Sequence, residues 1–219
     1  LLPAVLALLV VGCPSKDNPS YNDAGAETGS STAVSSAGST TRSAGPTSGG
    51  ESATESSNTG SPASELRIFV SSVRYSGDLG GLEGADEKCT AVATAAGLSG
   101  QWMAWVSDDI AGVDAIDRIQ GEGPWVRTDG VEVFSNRATL MARPSDELAV
   151  DEDGEGFADA TMSVWTGTQS DGTADRSCLG FTSETDVGIT GNPRRPENWT
   201  SGSGGACELP RYLYCFEQP

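Results

Sequence analysis

Arg211-Tyr212-Leu213-Tyr214-Cys215-Phe216 is a run of aromatic and apolar residues near the end of a 219-residue sequence. Such residues fit a pleated surface, so the run predicts a strand. Its counterpart is Leu66-Arg67-Ile68-Phe69-Val70-Ser71-Ser72-Val73, a β-branched run ended by Ser76-Gly77-Asp78. The last strand is expected to pair beside this first one. Between them the period changes. From Gly84 to Ala96, the residues Cys89, Val92, Ala93 and Ala96 recur at helical spacing, Asp86 and Glu87 stand in the first turn, and Gly97 supplies a stop. Gln101-Trp102-Met103-Ala104-Trp105-Val106-Ser107 predicts a buried strand, and Ile110, Val113, Ile116 and Ile119 predict a short second helix ended at Gly121. Trp125-Val126-Arg127-Thr128 and Val131-Glu132-Val133-Phe134 flank Asp129-Gly130, a two-residue hairpin signal. Pro144 to Ala160 and Gln169 to Ser203 are mostly turn-formers around one short strand, Ser163-Val164-Trp165-Thr166. The expected class is α+β.

Composition excludes several functions. Lys and Arg number 13 against 31 Asp and Glu, His is absent, and the net charge is −18. A surface this acidic repels phosphate backbones, which removes the main source of nucleic-acid affinity. Without His, the Ser-His-Asp and Cys-His nucleophile systems and most zinc and haem chemistry are unavailable. The first 64 residues hold 2 basic and 5 acidic groups, leaving 11 and 26 in the rest, so residues 65–219 carry a net charge of −15. All five Trp also lie there, and apolar burial is concentrated in that single domain.

The preceding residues have different physics. Leu1 to Gly12, LLPAVLALLVVG, is one uncharged apolar run. It is shorter than the ~20 residues a spanning helix needs and reads as an export signal whose basic start is missing. Val10-Val11-Gly12-Cys13 resembles the bacterial lipobox. That resemblance makes 1–13 a lipoprotein signal peptide ending at a lipidated Cys13. Pro14 stands where an inner-membrane retention signal of such lipoproteins would be Asp, which favours an outer-membrane localisation at the cell surface or facing the periplasm. In residues 14–64, 35 of 51 side chains are Ser, Thr, Gly or Ala. This composition cannot offset its ordering entropy, and a disordered linker of roughly 40 Å r.m.s. span is expected.

With Cys13 assigned to lipid, Cys89, Cys178, Cys207 and Cys215 remain. An even number in an exported chain points to two disulfides, whereas a zinc site would show closer pairs. Four Cys allow three pairings, and arithmetic does not choose among them.

The order of elements and Cys resembles bacterial lipoprotein domains of the endostatin-like, C-type-lectin-like superfamily. The matching stretches are Ile68-Phe69-Val70-Ser71-Ser72, Gly80 to Cys89, Ala93 to Gly100, Ala104 to Asp108, Trp165-Thr166-Gly167-Thr168 and Arg211 to Phe216. The resemblance implies a long disulfide from the first helix to the last strand, Cys89 to Cys215, and a second within the loop region, Cys178 to Cys207. It also shows departures. Calcium-dependent lectins use a Glu-Pro-Asn or Gln-Pro-Asp loop and a Trp-Asn-Asp motif. Here Pro196-Glu197-Asn198-Trp199 permutes the first motif, and Glu208 to Tyr214 leaves no place for the second. Endostatin's zinc needs His, and its heparin affinity needs Arg clusters, so neither carries over to this acidic chain.

Candidate sites follow from residue chemistry. Asp151, Asp153, Glu155 and Asp159 around Gly156 imitate part of a Ca²⁺ loop, with Gly at position 156 after Gly154 and Met162 where a bidentate Glu belongs. Asp171, Asp175 and Glu184 form a looser oxygen set. Trp199, beside Asn198, offers an aromatic face for stacking a sugar or peptide, with Arg194 and Arg195 as anion-binding forks. Asn198-Trp199-Thr200 also matches a glycosylation sequon, which a bacterial export signal makes incidental. Asp151 or Asp153 with Glu184 could serve as an acid–base pair on a glycosidic bond, although no spacing favours this pair over others.

The resulting expectation is a lipid-anchored cell-envelope protein with a non-catalytic recognition or adhesion domain, requiring no cofactor unless Ca²⁺ binds the acidic loop. Its partners would be the membrane through the anchor and a glycan or protein ligand, not nucleic acid. The alternatives are a structural envelope component without a specific ligand and a carboxylate-dependent glycan hydrolase.

Overall fold

The computed structural model describes residues 64–219. The export signal, Cys13 and residues 14–63 of the linker therefore lie outside the described residues. Eight strands and three helices follow in the order β1 (Leu66–Val70), α1 (Gly81–Ala95), β2 (Gln101–Ala104), α2 (Ala115–Arg118), β3 (Trp125–Arg127), β4 (Glu132–Phe134), β5 (Val164–Trp165), α3 (Cys178–Phe181), β6 (Val187–Gly191), β7 (Ser203–Ala206) and β8 (Tyr212–Gln218). Two 3-10 turns cover Arg137–Met141 and Pro196–Asn198. The class is α+β with a mostly sheet core. Among the described residues no helix is long and apolar enough to cross a membrane.

The sheet order is β4-β3-β1-β8-β5-β6-β7, with β2 also on β8. The last strand is the hub. It runs antiparallel to β1 through Ile68↔Phe216, Phe69↔Cys215 and Val70↔Tyr214, as its terminal position suggests. On its other edge it is antiparallel to β2 at Ala104↔Cys215 and parallel to β5 at Trp165↔Leu213.

Both faces of β8 are covered, which is why its sequence is a continuous apolar run. Tyr212, Tyr214 and Phe216 enter one core with Ile68, Trp105, Trp125, Phe134 and Trp199. Leu213 and Cys215 enter a second core with Phe69, Trp102, Trp165 and α1. α1 buries Ala85, Cys89, Val92 and Ala93. It ends where Gly97 takes a φ of 75°, with Gly97 N–H donating to Thr94 and Leu98 N–H to Ala93. Those two bonds satisfy carbonyls that the last turn leaves open. Asp86 on α1 accepts two bonds from Arg118 and one from Ala104 N–H, tying α1 to α2 and β2.

The disulfides are Cys89–Cys215 and Cys178–Cys207, with sequence separations of 126 and 29. This is the pairing that the resemblance implies. In the chain-entropy model such closures contribute about 4–5 and about 3–4 kcal/mol.

Several predicted boundaries shift. β1 stops at Val70, because Ser71 Oγ turns back to the Val73 carbonyl and Ser72 bonds Glu152. α1 starts at Gly81, earlier than Gly84. β2 stops at Ala104; beyond it Trp105 N–H still bonds Tyr214, but Ser107 N–H bonds Thr166 instead. The second helix shrinks to Ala115–Arg118, because the Asp108 carboxylate caps Ile110 and Ala111 N–H and holds that segment as a turn. Ile110 is left exposed. The Asp129-Gly130 hairpin forms between β3 and β4.

β6 and β7 form within and beyond a stretch that reads as turns, since glycine weakens any strand signal. The glycines are there for packing. A Cβ on Gly188 would lie 2.7 Å from Cys178 Sγ, and one on Gly191 would lie 2.6 Å from the Trp199 carbonyl carbon.

Candidate functional site

A polar groove opens where β5, β6, β7 and β8 meet. Its first half, about 320 Å³, lies among Ser163, Thr190, Asn192, Arg195, Asn198 and Ser203. Its second half, about 280 Å³, lies among Arg74, Asp159, Leu209, Pro210 and Tyr212. Arg211, Thr161, Met162 and Ser163 line both halves, so Arg211 stands at the junction.

The fold places Arg211 firmly. Its backbone exchanges two hydrogen bonds with Tyr75, at 2.7 and 2.8 Å, just before β8 begins. The guanidinium lies over Trp165, 5.0 Å from the ring centroid, and Nη1 donates to Ser163 Oγ. On the other side is β7, where a Cβ at Gly205 would come within 2.7 Å of the Arg211 Cζ. Glycine at 205 is what leaves room for the guanidinium there. Nε is buried and has no hydrogen-bond partner among the described residues. Burial pulls the Arg211 guanidinium below its ordinary pKa. Among the described residues no carboxylate forms an ion pair with it; the pairs there use Arg67, Arg118, Arg127, Arg176 and Arg194.

The other groove cations differ in freedom. Arg195 is exposed and its side chain makes no described bond; only its backbone is engaged, through Asn192 and Asn198. Arg74 lies over Tyr212, 5.6 Å from the ring centroid. Asp159 is held below the ordinary carboxylate range first by Thr161 hydrogen bonds and then by the charges of Arg74 and Arg194.

The sequence-predicted residues separate. Asn198 and Arg195 line the groove. Trp199 does not: it is 1% exposed, its ring lies 4.8 Å from Trp105 and 5.1 Å from Phe134, and its carbonyl accepts from Tyr214 Oη at 2.8 Å. It anchors the core and offers no stacking face. Arg194 is also spent on structure, donating to the Asp159 and Phe157 carbonyls and pairing with Glu147 at 3.4 Å.

The calcium-loop pattern does not assemble. Asp151 Oδ1 accepts from Asp153 and Glu155 N–H at 3.0 and 2.9 Å, closing a tight turn, and Asp159 Oδ1 accepts from Thr161. Their oxygens satisfy local backbone instead of converging. Asp171 likewise accepts from Thr173. Among the described residues there is no group of three or more Asp, Glu, Cys or His side chains able to hold a metal ion, whether from Asp151, Asp153, Glu155 and Asp159 or from Asp171, Asp175 and Glu184.

Two placements escape sequence reading. Arg211 opens an apolar strand, where a charged first residue ordinarily marks solvent; nothing local shows that β5 and β7 will cover it. Glu152, 7% exposed, sits inside an acidic run that reads as solvated. Its carboxylate accepts from Ser72 N–H at 2.9 Å and from Ser72 Oγ, clasping the acidic turn to the end of β1.

No protein-family model matches the chain, and a comparison with curated proteins found no significant relative.

Proposed function

We propose that residues 65–219 form a non-catalytic recognition domain of the C-type-lectin-like kind. A lipid on Cys13 and the 14–64 linker would carry it at the outer membrane of a bacterium. The observation that supports recognition is Arg211, a partly buried guanidinium without a carboxylate partner, at the junction of a polar groove. A charge removed from water and left uncompensated is unfavourable, so a ligand that supplies the missing partner binds with that deficit in its favour.

The topology supports the fold-family reading. One strand pairs with both the first strand and β2, a long disulfide ties the first helix to that strand, and a second staples the loops. The non-catalytic reading is supported by the lining, in which Asp159 is the one carboxylate among the described groove residues. Both a general acid and a base are needed for glycoside hydrolysis, and Asp159 has no carboxylate opposite it in the groove.

The test is an array of glycans and peptides probed with the whole chain, in Ca²⁺ and in chelator. Binding that is equal in both conditions and lost in Arg195→Met is expected. Full retention of binding in that variant overturns the groove reading. Labelled palmitate should enter the wild-type chain and not Cys13→Ser; equal labelling of both overturns the anchor.

A further inference from the structure

We infer that the groove takes an oxyanion-bearing sugar, with its carboxylate or sulfate against Arg211 and Arg195 and its hydroxyls against Ser203, Asn192 and Asn198. This rests on the groove being the binding site and names what it binds.

Charge placement comes first. The domain carries 11 basic and 26 acidic groups, yet Arg195 and Arg211 line one groove half that contains no carboxylate. Arg74 adds a third cation in the adjoining half, where Asp159 faces it. Arg195 is exposed and its side chain makes no described bond, while Arg211 is held by Trp165 and Ser163. An oxyanion could rest on the held guanidinium and accept a second contact from the exposed one.

The rest of the lining selects among anions. Hydroxyl and amide side chains dominate, and Met162, the one large apolar side chain in the first half, is buried in the core. A peptide anchor needs an apolar pocket for a large side chain. A polyol instead needs many donors and acceptors at close spacing, and this lining offers them. The volume of about 320 Å³ is at the low end for small-ligand sites and suits one ring.

The net charge of −15 restricts the ligand further. A long polyanion would be repelled by the rest of the domain, whereas one acidic residue at a chain end meets only the local cations. Repulsion acts over a Debye length of about 8 Å at physiological salt, while the partly buried contact is screened much less. Raising salt should therefore leave affinity unchanged or improve it, the opposite of a surface basic patch.

The experiment is calorimetric titration of the 219-residue chain with four probes: galacturonate, its methyl ester, a monosulfated disaccharide and a tetraglutamate peptide. Arg211→Met and Arg195→Met are run beside wild type. The exposed Arg195 keeps the test decisive if Arg211→Met fails to fold. Galacturonate or the sulfated sugar should bind, the tighter one identifying the oxyanion. The methyl ester and each variant should weaken binding at least about ten-fold. Affinity should hold or rise between about 10 and 150 mM salt. If the methyl ester matches the acid, or the peptide binds tighter than both sugars, the ligand class is wrong while the groove stands. If any probe binds and neither variant changes it, or if no probe binds at all, the ligand assignment falls. Binding that both variants ignore also removes the groove itself.

Discussion

The guanidinium carbon of Arg211 lies over the indole of Trp165, 5.0 Å from its ring centroid, and glycine at 205 opens the space on the β7 side. A cation held on an aromatic face keeps its position without a counterion. Gly205→Ala should therefore displace the guanidinium, the flexible end of a long side chain, and cost less than about 1 kcal/mol of stability while weakening groove binding. Urea unfolding and calorimetric titration of the variant check both halves of that expectation.

Gly191 provides the contrast. Its missing Cβ faces the Trp199 backbone, 2.6 Å from the carbonyl carbon, which cannot swing aside. Gly191→Ala should destabilise by about 3 kcal/mol, at the upper end of overpacking. A midpoint shift in urea unfolding no larger than that of Gly205→Ala would contradict the packing described.

Trp199 should behave as core. It is 1% exposed and packs on Trp105, Phe134 and Tyr214. Trp199→Ala is expected to cost about 3–5 kcal/mol, read by thermal or denaturant unfolding. Loss of binding without loss of stability would return it to the ligand site.

Removing Cys89–Cys215 as a double Ser variant should lower stability more than removing Cys178–Cys207, by about 1 kcal/mol for the closure term alone. The shorter disulfide also sits on α3, where Cys178, Leu179, Gly180 and Phe181 all have positive φ, between 54° and 67°. Non-glycine residues rarely adopt that conformation, and the backbone there should relax once the bond is gone. Hydrogen exchange across 178–181 should rise in the Cys178/Cys207 variant and stay unchanged in the Cys89/Cys215 variant.

Acid should destabilise the domain through specific carboxylates. Asp129 is held below the ordinary carboxylate range mainly by its hydrogen bonds from Arg127. A carboxyl with a depressed folded pKa contributes stability that is present above the unfolded value of about 4 and lost as pH falls through the folded one. Asp129→Asn should flatten the stability profile below about pH 4 and leave its shape unchanged at neutral pH. A profile parallel to wild type in acid would contradict this.

How much of this was legible in the sequence depended on whether the signal was local. β1, α1, the Asp129-Gly130 hairpin and β8 were readable because each carries its own period, cap or turn chemistry. The Gly97 stop was readable for the same reason. β6 and β7 were not, because their glycines answer to Trp199, Cys178 and Arg211, which lie elsewhere in the chain. The site divided similarly. Arg195 and Asn198 line the groove, while Trp199 and Arg194, which the sequence offers beside them, are drawn into the fold. The acidic loop looked like a cation site because spacing does not show that Asp151 will cap its own turn. Arg211 stayed hidden, because what makes it distinctive is desolvation by strands distant in sequence.

Arginine side-chain NMR, following the Nε–Hε signals during titration with galacturonate, tests Arg211 and Arg195 directly as the ligand contacts. Saturable shifts at these two, with Arg118 and Arg127 unmoved, are the predicted result. Unmoved Arg211 and Arg195 signals in the presence of bound sugar would contradict it.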